Sequence, residues 1–170
     1  MPDVEIRPFS DEHLGAASAL LRDRHERHVA AEPLLARDVD YRAQLAGMTG
    51  LVALRDGDVR AYLLGKTTDD DAFVDFAGCA ASEPELLRDL YAELAPSWER
   101  ERHRVYVPAS DSQLIDVWFR LAFGLQFTYA VREPAPGSGE GAILKTVQLL
   151  PSDSTVEPTS GSSPRSSRSS

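Results

Sequence analysis

The spacing of the hydrophobic residues changes near residue 50, and this change constrains the fold more than any other feature. From Leu14 to Leu45 the apolar side chains recur mainly three and four residues apart, the spacing that places them on one face of a helix. Downstream they come in short runs: Leu51-Val52-Ala53-Leu54, then Val59-Arg60-Ala61-Tyr62-Leu63-Leu64, then Ala72 to Ala80. Asp56-Gly57 separates the first two runs. An Asp-Gly pair between apolar runs marks a two-residue hairpin, because both central residues of that turn need positive φ. Thr67 to Asp71 forms a polar turn before the third run. Residues 51–80 are therefore expected to form a three-stranded antiparallel meander.

Elements are expected on both sides of it. Val4-Glu5-Ile6-Arg7-Pro8-Phe9 alternates as a short strand, and Pro8, which lacks an amide donor, places it at an edge or near its end. Ser10 caps a helix running to about Val29, with Leu14, Ala17, Leu20, Leu21 and either Arg24 or His25 at helical spacing. Pro33 restarts the chain, and Leu34, Leu35, Val39 and Leu45 suggest a weaker second helix ending near Gly50. Ser82-Glu83-Pro84-Glu85 has the form of a capping box, followed by the stripe Leu86, Leu87, Leu90, Leu94, Trp98. Pro96 should kink or end that helix. Arg104 to Val107 is a short strand. Ser110 with Gln113 is a second capping box, opening a helix with Leu114, Val117, Trp118 and Leu121 on one face and Gly124 at its end. Leu125–Val131 and Ala142–Leu149 are two final strands around a loop at Pro134–Gly141. The order β-α-α-β-β-β-α-β-α-β-β implies an α/β (α+β) fold, with a mixed, mostly antiparallel central sheet flanked by helices.

Composition bounds the function. The folded part is expected to be residues 1–150. In residues 151–170, nine of twenty are Ser and three are Pro, a segment with too little apolar surface to offset its ordering entropy and so expected to be a disordered tail. Its acids, Asp153 and Glu157, balance Arg165 and Arg168, so the domain carries the whole net charge of -9. That charge argues against nucleic acid and anionic membranes as partners. No apolar stretch approaches the ~20 residues that span a bilayer. The single cysteine, Cys79, allows neither an intrachain disulfide nor a Cys-rich zinc site. With no signal-like start, these features point to a cytoplasmic protein.

Trp118-Phe119-Arg120-Leu121-Ala122-Phe123 is similar to the helix-four ending of the GNAT superfamily of acetyl-CoA-dependent N-acetyltransferases, aromatic-x-x-x-Gly-Phe, with Ala122 in the Gly place. Ile6-Arg7-Pro8 and the Leu51–Leu64 hairpin also resemble that family, as does the element order over residues 4–150. The resemblance implies a fold in which the fourth and fifth strands, here 72–80 and 104–107, splay apart to hold the acyl-CoA pantetheine. It implies acetyl-CoA as cofactor, with Gly78, Cys79, Ala80, Ser82 and Tyr106 along the groove. Its implied activity is transfer of an acetyl group to a small-molecule or peptide amine. The family's diphosphate loop, a Gln or Arg followed by x-x-Gly-x-Gly or Ala, corresponds here to Gly78-Cys79-Ala80-Ala81-Ser82-Glu83-Pro84-Glu85, with no Gly-x-Gly and no basic residue. Trp118 stands where the family has its general-acid Tyr. The alternative to an active enzyme is a non-catalytic module: a scaffold, a sensor, or the degenerate half of a tandem pair that meets a second such domain or a second copy of itself.

Among single residues, Asp75 is the candidate base, read as mid-strand beside the notch. Cys79, with no His near it in sequence, reads as a buried small hydrophobe. His25 and His28 lie three apart with no further ligand cluster, and read as a solvated helix surface with no metal site. His103 reads as part of a solvated helix end, Asp69-Asp70-Asp71 as a solvated turn, and Trp98 and Trp118 as core. There is no P-loop, no Gly-x-Gly-x-x-Gly and no Gly-x-Ser-x-Gly.

Overall fold

The computed structural model describes residues 3–128 and 146–151. The Pro134–Gly141 loop and almost all of the Ser-rich tail lie outside these residues. The elements are β1 (Val4–Pro8), α1 (Leu14–Ala31), α2 (Tyr41–Leu45), β2 (Thr49–Arg55), β3 (Asp58–Thr67), β4 (Asp71–Val74), β5 (Cys79–Ala81), α3 (Leu86–Leu94), β6 (Arg102–Pro108), α4 (Ser112–Arg120), β7 (Phe123–Thr128) and β8 (Thr146–Pro151). They build one sheet in the order β1-β2-β3-β4-β6-β8-β7, with β5 also paired to β3. All pairings are antiparallel except β4 with β6. The mixed, mostly antiparallel sheet expected from the sequence is the one observed.

The hairpin forms where expected. Asp56 and Gly57 both take positive φ, 54° and 83°, which twists the turn in the sense of its strands. The strand alternation then sends side chains to two helical layers. Val52, Leu54, Tyr62, Leu64 and Ala80 pack with Leu14, Ala17 and Leu21 of α1 and Leu45 of α2. On the opposite face Ala53, Ala61, Leu63, Val105 and Val107 pack with α3, α4 and Trp98. Trp98 and Trp118 are core residues, as read from their stripes.

Several local expectations are corrected. The second helix shrinks to the single turn of α2, capped by Asp40, whose side chain accepts the Ala43 amide at 3.0 Å. The run 72–80 is two strands. Phe73 faces Lys66 and Cys79 faces Leu63, so six steps along this stretch match three on β3. The surplus is turned out at 75–78, where the Gly78 amide donates to the Asp75 carbonyl and the Leu64 amide to the Gly78 carbonyl. A Cβ on Gly78 would stand 2.6 Å from the Leu64 carbonyl oxygen, so glycine is required here by backbone approach.

The caps also move. Ser82 does not cap α3; its amide and hydroxyl both donate to the Arg60 carbonyl, at 2.8 and 3.2 Å. The N-cap of α4 is Asp111, one residue after the expected Ser110, and its Oδ1 accepts the Leu114 amide at 3.0 Å. Ser82→Ala is accordingly expected to cost less than about 0.5 kcal/mol and Asp111→Ala about 1 kcal/mol, the usual value of a lost cap. Urea denaturation of both variants checks this ordering.

The end of α4 lies at Arg120, four residues before Gly124, because Ala122 itself takes the left-handed conformation, φ 66°. This is the position where the family motif carries Gly. A Cβ is strained there, whereas glycine is not. Ala122→Gly is therefore expected to stabilise the fold by about 0.5–1 kcal/mol, the left-handed penalty less the added entropy of glycine in the unfolded chain. A lowered melting temperature would refute this.

His103 is not at a helix end. It lies in β6, half-buried, and it meets Tyr91 and Trp98 edge-on. Its Nε2 is 3.0 Å from the Arg100 carbonyl and its Nδ1 2.6 Å from the Tyr91 hydroxyl. The carbonyl can only accept, so the Nε2-H tautomer follows, with the Tyr91 hydroxyl donating to Nδ1. Burial lowers the imidazole pKa below its ordinary value. The unfolded chain then binds this proton more readily, so the stability His103 contributes is present at neutral pH and is lost as pH falls below about 6.5. Comparing the pH dependence of melting for the parent and His103→Gln isolates this slope.

Candidate functional site

The break at 75–78 opens the sheet. Among the described strands, β4 pairs with β6 only over Arg102–Val105, and β5 pairs only with β3. A notch therefore separates Cys79–Ala81 from Val107-Pro108. It leads into a cleft of about 370 Å³ lined by Arg24, Arg27, Ser82, Pro84, Asp111 and Gln113. A second space of about 270 Å³ shares its arginines and reaches His28, Pro108 and Ser110. The walls are thus α1, the end of β5, the approach to α3 and the start of α4.

Arg24 governs this notch. It continues the stripe Leu14-Ala17-Leu21 along α1 and is only 2% exposed. Its guanidinium donates to the carbonyls of Cys79 and Phe76. It also lies over the Phe76 ring at 4.7 Å, and His28 packs against the same ring at 5.4 Å. Arg24 Nε is buried without a hydrogen-bond partner. The helix face read as solvated is in fact buried at His25 and His28; His25 Nε2 lies 2.7 Å from the Ala36 carbonyl. No group of three metal-ligating side chains occurs among the described residues.

The residues singled out in sequence are distributed as follows. Asp75 is not mid-strand but in the turn after β4; its Oδ1 accepts the Phe76 amide at 2.8 Å and its Oδ2 is 3.4 Å from Lys66 Nζ, at an exposed position. Cys79 is fully buried, and that burial pushes its thiol up to about 11, against the opposing pull of Arg24. Such a thiol is a packing group, not a nucleophile. Ala80 is buried under α1, and Tyr106 is half-buried in β6 opposite Gln148. Gly78, Cys79, Ala80 and Ser82 thus lie along the strand and turn bordering the notch. Of the Asp69–Asp71 run, Asp71 begins β4 and pairs with Arg102 at 3.0 Å and Arg104 at 3.1 Å.

Along the approach to α3 several backbone amides are already engaged. The amides of Leu86, Leu87 and Arg88 donate to the carbonyls of Glu83, Pro84 and Glu85 at 3.1, 3.0 and 3.1 Å. The Ser82 amide is bound to Arg60, and Pro84 has none. Glu83 pairs with Arg55 at 2.9 Å; Glu85 pairs with Arg120 at 2.8 Å and Arg88 at 3.4 Å. Both acids before α3 are therefore held by arginine. Trp118 is wholly buried, its ring 5.0 Å from Phe123 and 5.5 Å from Tyr91. It presents no acidic group to the notch. What the sequence reading missed was Arg24: its place on the α1 stripe was legible, but not the open strand edge that receives its charge.

No protein-family model and no curated protein matches the chain. Solved structures do. The ribosomal-protein-S18-alanine N-acetyltransferase of Escherichia coli superposes with a TM-score of 0.62 at 16% identity, over 88% of this chain and 93% of that one. A PaiA N-acetyltransferase of Thermoplasma acidophilum, in complex with coenzyme A, gives 0.59 at 12% identity over 88% and 98%. A ribosomal-protein-alanine N-acetyltransferase of Brucella melitensis gives 0.55 at 17% identity over 86% and 98%. With its broken fourth strand, its open notch and these superpositions, the chain has the fold of the GNAT N-acetyltransferases.

Proposed function

We propose that this chain is a non-catalytic module built on the acetyltransferase fold, serving as a ligand sensor. The observation that carries the reading is Arg24: its guanidinium occupies the carbonyls of Phe76 and Cys79 along the open edge where an acyl-CoA arm would bind. The committed amides and the paired Glu83 and Glu85 support it, as does Trp118 in place of a hydroxyl acid. The residues present do not fit acetyl-CoA, and no chemical step through it is derived.

A second reading has one observation in its favour, the cleft itself, which persists at the notch. In that reading acetyl-CoA binds after Arg24 withdraws, a cationic amine suits the net charge of -9, and Asp75 serves as the base. Calorimetric titration of the full chain with acetyl-CoA decides between them. Micromolar binding, followed by acetyl transfer to an amine, would overturn the non-catalytic reading.

A further inference from the structure

We infer that the cleft beside Arg24 is a binding site for a small anion, a carboxylate or a phosphate, gripped by the guanidinium groups of Arg24 and Arg27. The inference rests on the sensor reading above and names its ligand class. Arg24 is 2% exposed and no carboxylate lies within ion-pair distance of it among the described residues. Its NH groups meet only neutral acceptors, the Phe76 and Cys79 carbonyls and the Cys79 Sγ, and its Nε has no hydrogen-bond partner. Buried charges are normally met by an opposite charge, because carbonyl dipoles replace only part of the lost hydration. The chain leaves this cation uncompensated on the wall of a cleft.

Arg27 stands one turn further along the same face of α1, as the i, i+3 spacing dictates. It lines the same space and its side chain is 62% exposed. Its nearest acid, Asp111 Oδ2, is 3.9 Å away, longer than the about 2.7–2.9 Å of a charge-assisted bond. Asp111 is also engaged as the cap of α4, so it holds Arg27 weakly. An entering anion would have to displace that contact, and Gln113 on the rim has a neutral side-chain amide that can donate to its remaining oxygens. The cleft volume of about 370 Å³ admits a phosphate ester or a short dicarboxylate, with no need to enter the notch behind Arg24. Two guanidinium forks facing one space match the oxygens of such anions.

The test is calorimetric titration of the full chain with inorganic phosphate and, separately, with succinate, each against sodium chloride at equal ionic strength. Saturable binding of either, with a dissociation constant below about 1 mM, is expected. Arg27→Gln, a surface change, is expected to weaken it by about fivefold or more, and Arg24→Met by about tenfold or more. Binding of phosphate alone assigns a phosphate ligand, and binding of succinate alone a carboxylate. No saturable heat for either anion up to 20 mM, or equal affinity in the parent and Arg27→Gln, overturns the proposal even if Arg24→Met does not fold. These titrations contain no acetyl-CoA, so their failure leaves the non-catalytic reading standing, while acetyl transfer would overturn that reading independently.

Discussion

Acetyl-CoA is expected to bind the full chain with a dissociation constant above about 1 mM, at least three orders of magnitude weaker than a micromolar cofactor site. The resemblance that links this chain to N-acetyltransferases implies that backbone amides at the start of the helix after the broken strand hold the diphosphate. Four amides of that stretch are committed here: Ser82 to Arg60, Leu86 to Glu83, Leu87 to Pro84 and Arg88 to Glu85. Hydrogen bonds to a charged group are worth roughly 1.5–3 kcal/mol each, and each 1.4 kcal/mol is a factor of ten, so two or three of them account for the loss. Glu83 and Glu85 add repulsion, reduced by their arginine partners. Arg24 removes the strand-edge carbonyls from use. A titration that saturates in the micromolar range would mean that this end of the fold rearranges on binding.

The second large effect is on stability. Trp118→Ala should destabilise the fold by about 3–5 kcal/mol, the range for deleting a large aromatic from a core. Trp118 is wholly buried, and it meets Tyr91 and Phe123 edge-on at 5.5 and 5.0 Å. It therefore links α4 to α3 and to β7 in one aromatic cluster, which Trp98 joins through Tyr91. The cavity left behind would be bounded by strands that cannot close on it without breaking sheet pairing, so relaxation would recover little. Guanidinium denaturation should show a lower midpoint at unchanged slope. A loss below about 1 kcal/mol would place the indole outside the core.

Trp118 also separates two kinds of information. That it would be buried was legible from its stripe with Leu114, Val117 and Leu121, because a helix period reports which side chains share a face. The hairpin at Asp56-Gly57 was legible for a similar reason, since turn chemistry is local. The element order and the resemblance at Trp118–Phe123 together pointed to the fold that the superpositions bear out. The caps were less legible. Ser82 and Ser110 stood in valid local patterns, but Ser82 is drawn to the Arg60 carbonyl of a neighbouring strand, and α4 starts one residue later, at Asp111. Local propensity is a contest among nearby partners, and a cross-strand carbonyl wins it only once the sheet exists.

The sequence alone determined the hydrophobic pattern, the turn residues and therefore the layered sheet, because these depend on neighbours a few positions apart. Only the tertiary structure decided that residues 75–78 leave the strand, since that follows from β3 pairing with β4 and β5 in two registers. It also decided the fate of Arg24, which the spacing on α1 placed on the buried face but could not supply with a partner. The carbonyls of Phe76 and Cys79 lie 52 and 55 residues away in sequence. They become acceptors for α1 only because the split strand leaves its edge unpaired, and the requirement to satisfy buried polar groups then draws the guanidinium into the notch.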